Sequence, residues 1–460
     1  MSTRFRKPLT ILVPLLLGAA AFFAVWNPFE SVDHTAWEAD FDILLGDLSR
    51  GYANLDWLAS SGRIKPAPLA SETRRTLREA HSNNEARAAI YSFIDAFHDP
   101  HLRVEGRRNW MPRFLRSGRR LDIDYRGSAY QPLPAGTFDA GLLSLGGGRS
   151  AGVIRIERFG HETYADVMAS AKGDDRAAMR VLVQKLDERI GQIKKRGASV
   201  VMIDITGNGG GTDWADGAAR LLSAQPLRYG GGGFVRHPHH TAQFAAQRAA
   251  LERDKTNPTL RPEQHAVVNR ALAELTRLET EAREDCDRSA VWTPTGARCS
   301  SLIRTQGGGL AGYVPPGLLD GMASAPALFF EDSLRVREGT WTGPVAVLMD
   351  GRTASASEQF AALLRDNGAA LLIGQRSLGA GCGYTNEAIQ SKLPHSGIVV
   401  KMPDCARFRA SGENEIAGLS PDEPVVNAAE LTSVLLRMAQ GKLRLGPVSR
   451  ESPPPAPARP

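Results

Sequence analysis

The sequence predicts an α/β fold, and three observations carry that expectation. A long amphipathic helix, with Leu182, Leu186, Ile190 and Ile193 on one face, ends at Gly197. It runs straight into a continuous apolar strand, Ser199–Ile205, which opens on Gly207-Asn208-Gly209-Gly210-Gly211. A second apolar strand, Pro344–Met349, then turns at Asp350-Gly351 into a helix with Phe360, Leu363 and Leu364 on one side. Strand, helix and strand in alternation are the rhythm of a parallel sheet covered by helices.

The elements follow in chain order. Arg4, Arg6 and Lys7 precede the apolar run Leu9–Trp26, the pattern of an export signal or membrane anchor. Residues 1–29 are therefore expected to lead the chain out of the cytoplasm, to a periplasmic or other extracytoplasmic place. If uncleaved, they tie it to the membrane. Residues 30–105 form an N-terminal helical subdomain, on the spacing of Phe41, Leu44, Leu45 and Leu48 and of Ala86–Phe97. An arginine-rich stretch follows, and a strand pattern appears at Val153–Ile156. The core is expected over 106–227 and 341–445. Between its halves, 228–340 is expected as a helical insertion, with Val268, Leu272, Leu275 and Leu278 along one face. Residues 446–460 form a Pro-rich tail.

Composition excludes little but helps. The chain is 42% apolar and 23% charged, as in a globular protein. Its net charge of +6 comes half from the three leading basic residues, so no nucleic-acid partner is expected. The cysteines number four, and an even count in an exported chain favours disulfides, with three pairings possible. No CxxC is present, and the crowded His237, His239 and His240 lack metal-ligand spacing, so neither a metal nor any other cofactor is expected.

Four segments could carry chemistry. Thr353-Ala354-Ser355-Ala356-Ser357-Glu358 puts a serine at a helix N-terminus, where unpaired N–H groups and the helix dipole favour developing negative charge. Ser355-x-x-Glu358 is equally a capping box, which needs no catalysis. The glycine run 207–211 brings backbone N–H groups close to a ligand, though an ordinary tight turn reads the same way. Phe97-His98-Asp99-Pro100-His101 offers an imidazole that could serve as a base, and Glu413–Asp422 a carboxylate.

Together, and in this order, these segments resemble the C-terminal-processing/tricorn-core serine peptidases. The resembling stretches are Asp99-Pro100-His101-Leu102, Asp204–Gly211, Ser355-Ala356-Ser357-Glu358, Leu393-Pro394-His395-Ser396-Gly397 and Glu415–Asp422. The resemblance implies a crotonase/ClpP-like spiral core. It also implies peptide-bond hydrolysis through an acyl-enzyme: Ser355 as nucleophile, His101 as base and Glu415 steadying the imidazolium. The N–H groups of Gly209 or Gly210 and of Ala356 would form the oxyanion hole. Ser357 is the alternative nucleophile. Ala380 stands where the processing branch has its lysine base, so the tricorn-like Ser-His-Glu branch is implied. Too few residues separate His101 from Val153 for a PDZ domain. Thr206 replaces the family's usual arginine and Pro100 its glycine. The expected partner is a peptide or protein substrate; the oligomeric state is not specified. A non-catalytic ligand- or peptide-binding protein and a small-molecule esterase are the rival readings. Cys382 and Cys405 are expected to pair beside the site.

Overall fold

The computed structural model describes residues 31–443 apart from 107–120, 128, 213, 285, 287, 294–301, 331–333, 335, 386 and 387. Residues 1–29, expected as an export signal or anchor, and the Pro-rich tail 446–460 lie outside these residues. Among the described residues, no helix is long and apolar enough to cross a membrane. The chain divides into two compact units, one of 1–108, 286–301 and 387–404, the other of 109–285, 302–386 and 405–460.

The second unit is built on a seven-stranded mixed sheet. Its order is Glu423–Pro424, Leu371–Gly374, Val345–Met349, Val200–Asp204, Arg149–Arg155, Ala140–Gly146, Tyr130–Pro132. The first five strands run parallel, and the last two are joined on by antiparallel pairings, Ala140–Gly146 to Arg149–Arg155 and Tyr130–Pro132 to Ala140–Gly146. Side chains alternate across a strand, and here both faces are covered. Val201, Ile203, Val345, Val347 and Leu372 meet Leu182, Leu186, Ile190, Trp214 and Phe360 of the overlying helices. Val200, Met202, Ala346, Leu348 and Ile373 meet Leu431 and Leu435 of helix Ala428–Ala439 on the opposite face. This double burial is why the two central strands read as unbroken apolar runs. Besides helices His240–Lys255 and Pro262–Arg283, the stretch 228–340 supplies strands Gly232–Val235 and Leu302–Thr305, which form a small sheet with Cys405–Arg407. Val268, Leu275 and Leu278 pack with Phe244 in a separate core, as their spacing predicts.

The first unit gathers helices His34–Gly51, Leu55–Ser60, Pro66–Glu79 and Asn83–Asp95 with a small sheet of Arg103–Val104, Val399–Met402 and Ile389–Lys392. Two buried charges knit it. Asp40 accepts the N–H groups of His395 and Ser396 at 3.0 and 2.8 Å. The Arg288 guanidinium caps the C-terminal carbonyls of the first helix, donating to Ser49 O at 2.7 Å and Tyr52 O at 3.1 Å.

Candidate active site

Ser355 sits where strand Val345–Met349 has turned into helix Ala356–Asp366, at the helix N-cap. Its φ is +56°, a left-handed conformation that a serine adopts only at a cost. Glu358 holds the turn. Its fully buried carboxylate accepts four hydrogen bonds: from the N–H groups of Ser355 (2.9 Å), Gly379 (2.7 Å) and Ala380 (2.8 Å), and from the Ser377 hydroxyl (2.5 Å). Burial pushes this carboxyl above the usual range, and the four hydrogen bonds oppose that rise. Ala380, in the place of the processing-branch lysine, thus presents a backbone donor to Glu358 and buries its methyl group. Ser357, the alternative nucleophile, is fully buried, and its hydroxyl has no hydrogen-bond partner among the described residues.

The glycine loop lies against this turn. A Cβ on Gly210, whose φ is +97°, would stand 2.8 Å from Ser355 Cβ and 2.9 Å from Ala356 N. Only glycine allows that approach. Asn208 welds the two loops: its carbonyl accepts the Ala354 N–H and its side-chain oxygen the Gly210 N–H, both at 3.0 Å. The Gly210 N–H is therefore committed, whereas those of Gly209 and Ala356 donate to no described residue. Asn208 was legible in the sequence as part of the motif, but its welding role was not.

The strand end that leads into the glycine loop is braced by an arginine. Arg155, on the neighbouring strand, donates to Asp204 Oδ2 at 2.8 Å and to the hydroxyl and carbonyl of Thr206, each at 3.0 Å. Tyr125 donates its phenol to the same carboxylate at 2.6 Å.

Glu415 is buried and pairs with Arg407 at 2.7 Å, while the same guanidinium holds the Gly381 carbonyl at 2.9 Å. Cys382 and Cys405 are joined, as expected, and bridge this wall. Cys286 is also disulfide-bonded; Cys299 lies outside the described residues. Alongside runs a cleft of about 190 Å³ bordered by Gln359, Leu363, Tyr229, Phe408, Arg407 and Glu415. Gln359 and Leu363 share the helix face that begins at Ser355.

His101 belongs to the other unit. Its backbone N–H donates to Asp99 Oδ1 at 2.9 Å, and Asp99 is buried under hydrogen bonds from Tyr52 (2.8 Å) and Asn54 (3.2 Å). Burial raises the Asp99 carboxyl above its usual range, while the His101 charge and these hydrogen bonds pull it down. Asp99 is thus a carboxylate on which the His101 charge acts, a relation that the motif Phe97–His101 does not display.

The model of peptidase family S41 matches residues 150–425, more than half of the chain. The chain belongs to that family. No curated protein matches it closely enough to add to this. Among solved structures, mature CPAF superposes with a TM-score of 0.61 at 14% identity, over 90% of this chain and 100% of that one. Mature CPAF complexed with lactacystin gives 0.60 at 14% identity, over 89% and 100%. At that identity these likenesses speak for the S41 fold alone. S41 membership makes the chain a peptidase by family, and its α/β architecture agrees with that of its relatives.

Proposed function

We propose that this S41 chain is a serine peptidase working through an acyl-enzyme, with Ser355 as nucleophile. The observation that carries this is the left-handed Ser355 at a helix N-terminus, pressed against Gly210. A capping serine needs neither the strain nor the glycine contact. Ser355 Oγ attacks the scissile carbonyl, His101 accepts its proton and returns it to the leaving amine, and water then hydrolyses the ester. The tetrahedral oxyanion is met by the N–H groups of Ala356 and Gly209. Gly209 is favoured over Gly210 as donor because the Gly210 N–H already serves Asn208. Two carboxylates are candidates to steady the imidazolium. Glu415 is the residue the family resemblance implies, and Asp99 is the one whose charge acts on His101 within its own unit. Extracytoplasmic placement, with residues 1–29 as signal or anchor, is part of the proposal.

A neutral alkyl fluorophosphonate tests this. It should phosphonylate Ser355 with loss of fluoride and block peptide cleavage, and Ser355→Ala should take no label. A wild-type chain that binds peptides yet neither labels nor cleaves them would leave the binding-protein reading standing.

A further inference from the structure

We propose that His161 is a positioning residue for the oxyanion-hole loop, acting through Thr212. The proposal rests on the serine-peptidase reading above. His161 is buried, and both its ring nitrogens are engaged: Nε2 lies 3.1 Å from Asp175 Oδ1 and Nδ1 lies 3.2 Å from Thr212 Oγ1. This is an acid–imidazole–hydroxyl chain wholly within the unit that holds Ser355. The other charged group facing the ring among the described residues is Glu162, at 3.9 Å.

The chain ends on the glycine loop. Residues 159–161 lie along residues 210–212: Phe159 donates its N–H to Gly210 O at 3.0 Å, and Thr212 returns its N–H to Phe159 O at 3.1 Å. A Cβ on Gly211 would stand only 1.9 Å from Gly160 N, so the two strips of backbone are in direct contact. The Phe159 carbonyl also takes the Trp214 indole N–H at 2.7 Å. The Thr212 hydroxyl donates to that carbonyl too, at 2.9 Å, so its side chain is held to the same strip. Nδ1 stands at hydrogen-bond distance from the Thr212 oxygen and Nε2 at hydrogen-bond distance from Asp175, so the ring bridges the two residues. His161 thus pins Thr212, and Thr212 ends the backbone run whose Gly210 touches Ser355. An oxyanion hole acts only when its donors are fixed in advance, and small misplacement of reacting groups is costly.

The test is fluorophosphonate labelling of the full chain, resolved into the maximal rate kinact and the half-saturating concentration KI. His161→Ala should lower kinact about 10- to 100-fold with KI within about twofold. His161→Asn, whose side-chain amide can hydrogen-bond the Thr212 oxygen, should recover most of that loss. Thr212→Val should lower kinact similarly, and the double variant should fall no further than the worse single. Three results would overturn the proposal: wild-type kinact in a His161→Ala chain of lowered Tm, a raised KI with kinact unchanged, or losses that multiply in the double variant. If wild type itself takes no label at Ser355, the peptidase reading falls and this one with it. If wild type labels normally and the variants do too, only the role of His161 is lost.

Discussion

The segments proposed to carry the nucleophile and the base are held by different means. Ser355 is fixed through backbone: its own left-handed φ, the N–H gathered by Glu358, and Gly210 packed against its Cβ. His101 follows Asp95 and is tethered through side chains: Asp99 receives its N–H, and Tyr52 and Asn54 hold Asp99. Backbone fixation tolerates almost no substitution at the contact points. Side-chain fixation can be loosened one hydrogen bond at a time. The nucleophile turn should thus fail abruptly under mutation and the base segment by degrees.

The largest effect expected is on turnover. Ser355→Ala and His101→Ala should each cost several orders of magnitude, about 10⁴-fold or more, as for members of a cooperating triad. His98→Ala, three residues from the base, should keep most activity. A dead His98→Ala chain beside an active His101→Ala chain would show that the base is misassigned.

Next in size is the Glu358 anchor. Glu358→Ala leaves four donors around a buried hole and should destabilise the fold by about 3–5 kcal/mol in urea unfolding, with labelling lost in parallel. Gly210→Ala should lose labelling with a smaller stability loss of about 1–3 kcal/mol, since its strain is local. Equal behaviour of the two variants would erase the contrast between anchor and contact.

Reducing the Cys382–Cys405 bond, which spans 23 residues, should cost about 3 kcal/mol on a chain-entropy basis. Cys382→Ala/Cys405→Ala measured against wild type isolates it from the disulfide at Cys286.

The base segment should respond more gently. If Asp99 steadies the imidazolium, Asp99→Asn should lower kcat about 10²-fold while Glu415→Gln chiefly disturbs the Arg407–Gly381 wall and raises KM. The reverse split would return that role to Glu415.

The smallest effect is on pH-dependent stability. Burial lifts Glu358 above its unfolded value of about 4.3, so the folded chain binds this proton more tightly than the unfolded chain. Its contribution is therefore greatest below the unfolded pKa and falls as pH rises through the folded one. Relative to Glu358→Gln, wild-type stability should decline across that acid window. A rising difference would mean that the hydrogen bonds outweigh burial.

Much of this molecule was legible from sequence, for a physical reason. A strand buried on both faces must be apolar throughout, so Ser199–Ile205 and Pro344–Met349 announced a covered parallel sheet. A glycine run after such a strand, and a serine before an acid-capped helix, are local chemistry that a linear chain displays directly. What tertiary structure decided were the contacts between residues far apart in the chain. Arg155 braces Thr206, 51 residues away. Glu358 converts a capping-box acid into an anchor for Gly379 and Ala380. His161, an unremarkable histidine in the sequence, meets Thr212 across 51 residues. No periodicity encodes such pairings, because each depends on which strands the sheet brings side by side. The sequence by itself determined the sheet, its helices and the candidate site segments; only the folded chain decided which side chains hold those segments still.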